Sequence, residues 1–145
     1  NFVDVDLAIQ EHTKEPLKAT IAKHGNEEFS NIEHRIFKEI LTKNKERTII
    51  STGGSVMTDI RNIKLTRNFV NIWFNSSLES LETRLGKNNI ELEERGVVMN
   101  PNENLEILKK NRDLLYVSCA DLMIDTSNFF DAISSLTNLM TIYSS

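Results

Sequence analysis

Apolar positions along the chain fall into short runs of period two and longer stretches of period 3.6, in alternation. Phe2-Val3-Asp4-Val5-Asp6 alternates and reads as a strand whose end carries two carboxylates. From Asn26 the residues Phe29, Ile32, Ile36, Phe37, Ile40 and Leu41 follow the helical period. Asn26 supplies a capping side chain there, and Glu27 and Glu28 sit at the positive end of the helix dipole. Arg47 to Thr52 reads as a second strand, closed by Gly53-Gly54. Phe69 to Phe74 reads as a third, apolar on both faces as a buried parallel strand is. Ser76-Ser77-Leu78-Glu79 offers a capping box before a helix with Leu78, Leu81 and Leu85 on one stripe. The pattern fades over Lys87-Asn88-Asn89 and the charged stretch from Glu91 to Arg95. It resumes at Asn100-Pro101, where a helix is predicted that carries Leu105, Leu108 and Leu115 on one face. Leu122-Met123-Ile124, bounded by Asp121 and Asp125, is a fourth strand. A last helix places Phe129, Ile133, Leu136, Met140 and Tyr143 on one side. Strands alternating with helices define an α/β fold on a parallel sheet. Such sheets bind ligands beyond the carboxyl ends of their strands.

Composition narrows the class. A chain of 145 residues suits one domain, and no repeat or Pro/Gly-rich linker divides it. Its two prolines, Pro16 and Pro101, each stand where a helix can begin. With 39% hydrophobic and 26% charged residues, the balance is that of a globular protein and not of a disordered one. No apolar run is long enough for a membrane-spanning helix, and no signal-peptide pattern opens the chain. A net charge of −4 argues against a nucleic-acid footprint. The single cysteine, Cys119, excludes an internal disulfide framework, points to a reducing compartment, and reads as a small buried packing residue. Asn1 opens the chain directly into an apolar run, a start that looks cut.

Several residues carry candidate chemistry. On a strand, Asp4 and Asp6 point to the same face. There they either end the strand as solvated acids or order a magnesium ion, hold a substrate hydroxyl and accept its proton in a phosphoryl transfer. Gly53-Gly54-Ser55 follows a strand and is either a tight turn or a floor whose backbone amides approach a ligand closely. Arg112 lies four residues after Leu108 and three before Leu115, on an apolar stripe, and needs a buried carboxylate or a bound anion as partner. Arg95, in the weakly patterned stretch before Gly96-Val97-Val98, is a loop cation or a lid cation that closes over phosphate. Glu33, one residue from the stripe of Ile32 and Ile36, borders a pocket or the edge of the core. His12, His24 and His34 have no metal-like spacing and read as surface or helix-face residues. Phe69, Trp73 and Phe74 read as core strand.

The order of these blocks is more specific than any one of them. Phe-Val-Asp-Val-Asp, then Gly-Asn-Glu-Glu-Phe-x-x-Ile-Glu, Ser-Thr-Gly-Gly-Ser and Arg-Asp-Leu-Leu-Tyr-x-x-x-Ala-Asp resemble the shikimate kinase family, from Phe2 to about Thr126. The resemblance implies a P-loop kinase-like, three-layer α/β/α fold with a parallel sheet of strand order 2-3-1-4-5. It implies ATP and magnesium, and transfer of a phosphoryl group to the 3-hydroxyl of shikimate in aromatic amino-acid biosynthesis. It further implies a cytoplasmic enzyme, a monomer when full length, whose partner is a small molecule and not nucleic acid or membrane. By the same resemblance Asp4 is the acid near the magnesium, and Asp6 holds the substrate hydroxyls and is the candidate base. Gly53 and Gly54 form the substrate floor, Arg112 pairs with the substrate carboxylate, Arg95 is the lid arginine and Arg84 lies beside the adenine. The lid spans about 86–104.

The chain departs from the family pattern in several places. Ser30 stands where a second carboxylate-binding arginine is usual, and Ser55 where a third glycine is. Arg95-Gly96-Val97-Val98 replaces Arg-Pro-Leu-Leu, and Leu114 replaces a proline; these changes resemble a divergent branch of the family. No Gly-x-x-x-x-Gly-Lys-Ser/Thr occurs in the sequence. In the family that loop follows the first strand, about thirty residues ahead of the Asp-x-Asp strand. The 145 residues are therefore expected to be one N-terminally truncated domain, with strand 1 absent and the segments at 47–52 and 69–74 facing a gap. Such a piece alone is expected to be inactive and to associate. Two other readings stand beside this one: a kinase for another small hydroxylated metabolite, and a non-catalytic domain that keeps the fold for binding or regulation.

Overall fold

The computed structural model describes residues 1–43, 47–86, 88–100 and 102–144. The element order is β1 (Phe2–Asp4), α1 (Val5–Thr13), α2 (Leu17–Lys43), β2 (Ile49–Ser51), a 3₁₀ turn at Val56–Thr58 and α3 (Ile60–Leu65). It continues with β3 (Ile72–Asn75), α4 (Leu78–Leu85), α5 (Asn89–Glu94), α6 (Leu105–Cys119), β4 (Leu122–Asp125) and α7 (Phe129–Ser144). β1 pairs in parallel with β2, Val3 opposite Ile50, and β3 pairs in parallel with β4, Trp73 opposite Met123. These are two separate two-stranded sheets. In the order 2-3-1-4-5 they supply the pairs 2-3 and 4-5, and the break between them falls where that order sets strand 1.

The first strand is shorter than its alternation predicts. Asp4 turns the chain into α1: its Oδ1 accepts the Leu7 amide at 3.0 Å, so the carboxylate caps a helix. Asp6 therefore sits in the first turn of α1 and not on a strand beside Asp4. Val5 and Ile9, four apart and fully buried, are the face that makes this segment helical. They pack with Phe29, Ile32, Ile36, Phe37 and Ile40 of α2 and with Val56 in one core. The stripe read along α2 is thus its buried face; Gly25 divides α2 into two helices, and the second begins about Asn26, as the periodicity predicts. Gly25, at φ 77° and ψ 168°, breaks it there, a conformation that costs glycine nothing in sterics.

A second core joins Leu92, Leu105 and Leu108 with Leu78, Leu81 and Leu85 of α4 and with Val97 and Met99. The fading stretch after Gly86 therefore contains a real helix, α5, anchored by the fully buried Leu92. Ser77, not Ser76, caps α4 by accepting the Ser80 amide. Helix α6 starts at Leu105 behind the Asn104 cap, later than Asn100-Pro101; Pro101 lies outside the described residues. Leu115 is partly exposed, so only the front of the α6 stripe is core. The third strand is Ile72–Asn75, and Phe69, Val70 and Phe74 are exposed instead of buried on both faces. Phe129, Ile133 and Met140 of α7 are likewise exposed, and Cys119 is half-buried, not enclosed. The Tyr143 side chain lies outside the described residues. No described helix is long and apolar enough to cross a membrane.

Candidate active site

The carboxyl ends of β1, β2 and β3 open onto one cavity of about 350 Å³. Of the seven residues that the resemblance assigns to the site, five line it: Asp6, Gly53, Gly54, Arg95 and Arg112. Asp4 and Arg84 do not. Asp4 is turned to its helix cap. The exposed Arg84 donates through Nε to the Ser80 carbonyl at 3.3 Å and through Nη2 to Ser76 Oγ at 2.5 Å, so it reaches the cavity rim only through Ser76.

Close approach explains the two glycines. A Cβ on Gly53 would stand 2.5 Å from Asp6 Oδ1, and one on Gly54 would stand 2.7 Å from Arg112 Nη1. Either side chain would push a charged group off the floor. The sequence reading missed the group that pins this floor from beyond it. The Tyr116 hydroxyl donates to the Gly54 carbonyl at 2.5 Å, and its ring packs against Trp73 with centroids 5.9 Å apart. Tyr116 lies four residues after Arg112, so the i, i+4 rule already sets both on one face of α6. Trp73, read as core, also lines the cavity.

Arg112 reaches in from α6. Its Nη2 donates to the Val98 carbonyl at 2.9 Å, and its Nε is buried without a hydrogen-bonding partner. A buried guanidinium edge left open this way suits a planar anion. Arg95 ends α5 at the cavity wall, and its side chain has no ion-pair partner among the described residues. Burial, and then the nearby Asp4 carboxylate, raise the pKa of Asp6 above the ordinary aspartate value, which strengthens it as a proton acceptor.

Beneath the floor, Glu33 is 1% exposed, inside the core and not at its edge. It accepts the Ser55 hydroxyl at 2.6 Å. Burial pushes its pKa up to about 7; the Ser55 bond and the Arg112 charge pull it down, while Asp6 and Asp59 add to the rise. Ser30, a further departure from the family pattern, donates to Asp59 Oδ2 at 3.3 Å, and Asp59 pairs with Arg61. His34, half-buried, meets Asn62 Oδ1 at 2.7 Å.

The Glu33 shift carries a stability consequence. In the unfolded chain this carboxyl ionises near 4.5, and in the fold near 7. Its contribution is therefore fully favourable below the unfolded value and is lost as pH rises through the folded one. Glu33→Gln keeps an acceptor for Ser55 and removes the ionisation. Urea unfolding is expected to show the variant gaining on the parent between about pH 4.5 and pH 8, by roughly 2–3 kcal/mol at the upper end. A difference that does not change with pH would show that Glu33 is not held protonated by the fold.

A carboxylate of raised proton affinity thus shares a cavity with a glycine floor and two arginines, beyond the carboxyl ends of parallel strands, an arrangement suited to proton transfer from a hydroxyl beside a bound anion. The comparisons with known proteins narrow the class. The shikimate kinase family model matches residues 1–138, and the chain belongs to that family. It is 30% identical to the shikimate kinase of Dictyoglomus turgidum over 128 residues, 88% of this chain and 73% of that protein. It is 31% identical to the Xanthomonas euvesicatoria shikimate kinase over 134 residues, 90% of this chain and 71% of the relative. Among solved structures, shikimate kinase from Acinetobacter baumannii in complex with shikimate superposes with a TM-score of 0.80 at 23% identity, covering 99% of this chain and 79% of that one. The Bacteroides thetaiotaomicron enzyme gives a TM-score of 0.74 at 20% identity, covering 99% and 83%. These two show the P-loop kinase fold, and the family match favours neither alternative reading of the sequence.

Proposed function

We propose that the cavity binds shikimate and that the full-length protein transfers the γ-phosphoryl group of ATP to its 3-hydroxyl. The observation that carries this reading is Arg112, with its buried, unpartnered Nε beside a two-glycine floor. The guanidinium takes the substrate carboxylate and so fixes the ring. The ring hydroxyls then face Asp6. As the hydroxyl oxygen bonds to phosphorus and ADP leaves, its proton passes to the Asp6 carboxylate. Arg95 neutralises the transferring group, and Gly53 and Gly54 let the backbone approach the substrate. The segment from about 86 to 104 serves as the lid, and Arg84 stands on the nucleotide side.

The donor set accommodates magnesium. Asp4 spends Oδ1 on the Leu7 amide and its charge raises the Asp6 pKa, so a cation near the two would relieve that repulsion. Magnesium takes one or two carboxylates with phosphate oxygens and water; when bound it neutralises phosphate charge, and Asp4 would hold it. The reading includes a cytoplasmic, monomeric enzyme acting on a small molecule, and the family match supports the small-molecule substrate.

Asp6→Asn tests the base. In the full-length protein it is expected to lower kcat by about 10²–10⁴-fold while changing the shikimate KM little, because the amide still holds a hydroxyl but accepts no proton. The parent's rate should fall as acid protonates Asp6, and a variant with parental kcat would remove it as the base.

A further inference from the structure

We infer that Asn26 is a positioning residue for the reaction: it holds the strap from Arg95 to Asn100 down over the cavity, and Arg95 with it. The strap is clasped at Gly96, Val98 and Met99. At Gly96, whose φ is 72°, a Cβ would stand 3.3 Å from Leu17 Cβ. The Val98 carbonyl accepts Arg112 Nη2 at 2.9 Å, and the Met99 carbonyl accepts Asn26 Nδ2 at 2.8 Å across 73 residues of chain. Val97 and Met99 face the second core while Val98 packs against the first, so the strap bridges the two. Asn26 follows directly on the Gly25 break, which frees its side chain from the helix and turns it toward the strap.

Its position suggests a helix cap, but among the described residues its side chain bonds only to Met99. Asn26 is exposed, and neither it nor its amide touches the cavity. Its role is therefore carried by the strap. Arg112 is a shared clasp: it holds Val98 and keeps Nε for an anion. Asn26 is the clasp with no second duty. The link from strap to catalysis rests on the proposed role of Arg95.

Aspartate and alanine at this position separate the two roles. A helix cap accepts Asp as readily as Asn, and Ala is the damaging change. A strap clasp needs a donor: Ala loses the bond, and Asp sets a carboxylate against the Met99 carbonyl, which is worse. Hydrogen exchange on the unliganded protein is expected to show the amides of residues 96–100 exchanging about fivefold faster in Asn26→Ala and faster still in Asn26→Asp, with those of Phe29 to Ile40 unchanged. kcat of the full-length protein should fall in the same order, with a smaller change in the shikimate KM. Parental strap exchange in Asn26→Asp, or slower exchange in it than in Asn26→Ala, overturns the inference and leaves the site reading standing. Faster strap exchange with parental kcat overturns the positioning role together with the role given to Arg95.

Discussion

Arg95→Ala in the full-length protein is expected to lower kcat by about 10³-fold or more, with shikimate affinity little changed. Arginines that neutralise a transferring phosphoryl group are worth roughly 10³–10⁵ in rate. The geometry supports that assignment. Arg95 ends α5 on the cavity wall, without an ion-pair partner among the described residues to lose its charge to. Its backbone is fixed on both sides: behind it, Leu92 is buried in the second core, and ahead of it the strap is clasped by Arg112 and Asn26. A charge aimed in advance into a partly enclosed space stabilises the transition state without reorganisation. Ground-state binding is left to Arg112, so the loss should appear in kcat and not in KM. Arg95→Lys should recover only part of the rate, because an ammonium lacks the planar fork. Steady-state kinetics decide the matter, and unchanged turnover removes Arg95 from the mechanism.

The second large effect belongs to Arg112. Arg112→Met keeps most of the side-chain volume and removes the guanidinium beside Gly54. Calorimetric titration is expected to show shikimate affinity falling by about 10²–10³-fold, the range that follows from removing one partner of a desolvated, hydrogen-bonded charge pair. The chain has Ser30 where the family usually has a second arginine, and Ser30 is engaged with Asp59 instead. An analogue of shikimate with the carboxylate reduced to an alcohol should bind parent and variant alike. Equal affinity of parent and variant for shikimate itself would place the carboxylate elsewhere. A side effect is expected at Glu33. The Arg112 charge lowers its pKa, so the variant should hold Glu33 protonated to higher pH.

The features legible in the sequence are those that local periodicity reports. The α2 stripe, the two-glycine turn after β2 and the charged residue on the α6 face all follow from spacing alone, and each stands where that spacing sets it. Val3-Asp4-Val5-Asp6 misleads because four residues satisfy both periods. Only the pairing of Val5 with Ile9, and the burial of both against α2, decides for a helix after Asp4. The helix at Asn89–Glu94 is hidden for a related reason: it is under two turns long, half of its residues are acidic, and it is held by Leu92 packing on leucines from α4 and α6. The bond from Asn26 to Met99 spans the fold, and no local pattern reports it. The Tyr116 clamp was within reach, since its distance from Arg112 is one helical step. The exposed apolar faces of β3 and α7 show the opposite failure, in which residues with the pattern of core are not covered among the described elements.

In the proposed reading this cavity is a shikimate site in which Arg112 reads the carboxylate and Asp6 takes the proton. A single assay tests it most directly: the full-length protein with MgATP, offered shikimate beside the same ring lacking the carboxylate and beside other small hydroxylated acids, with product identified by phosphorus NMR. Phosphorylation of shikimate at the 3-hydroxyl is expected, at a kcat/KM at least about 100-fold above every other acceptor. Equal or faster phosphorylation of the ring without its carboxylate, or of a different hydroxylated acid, would contradict it.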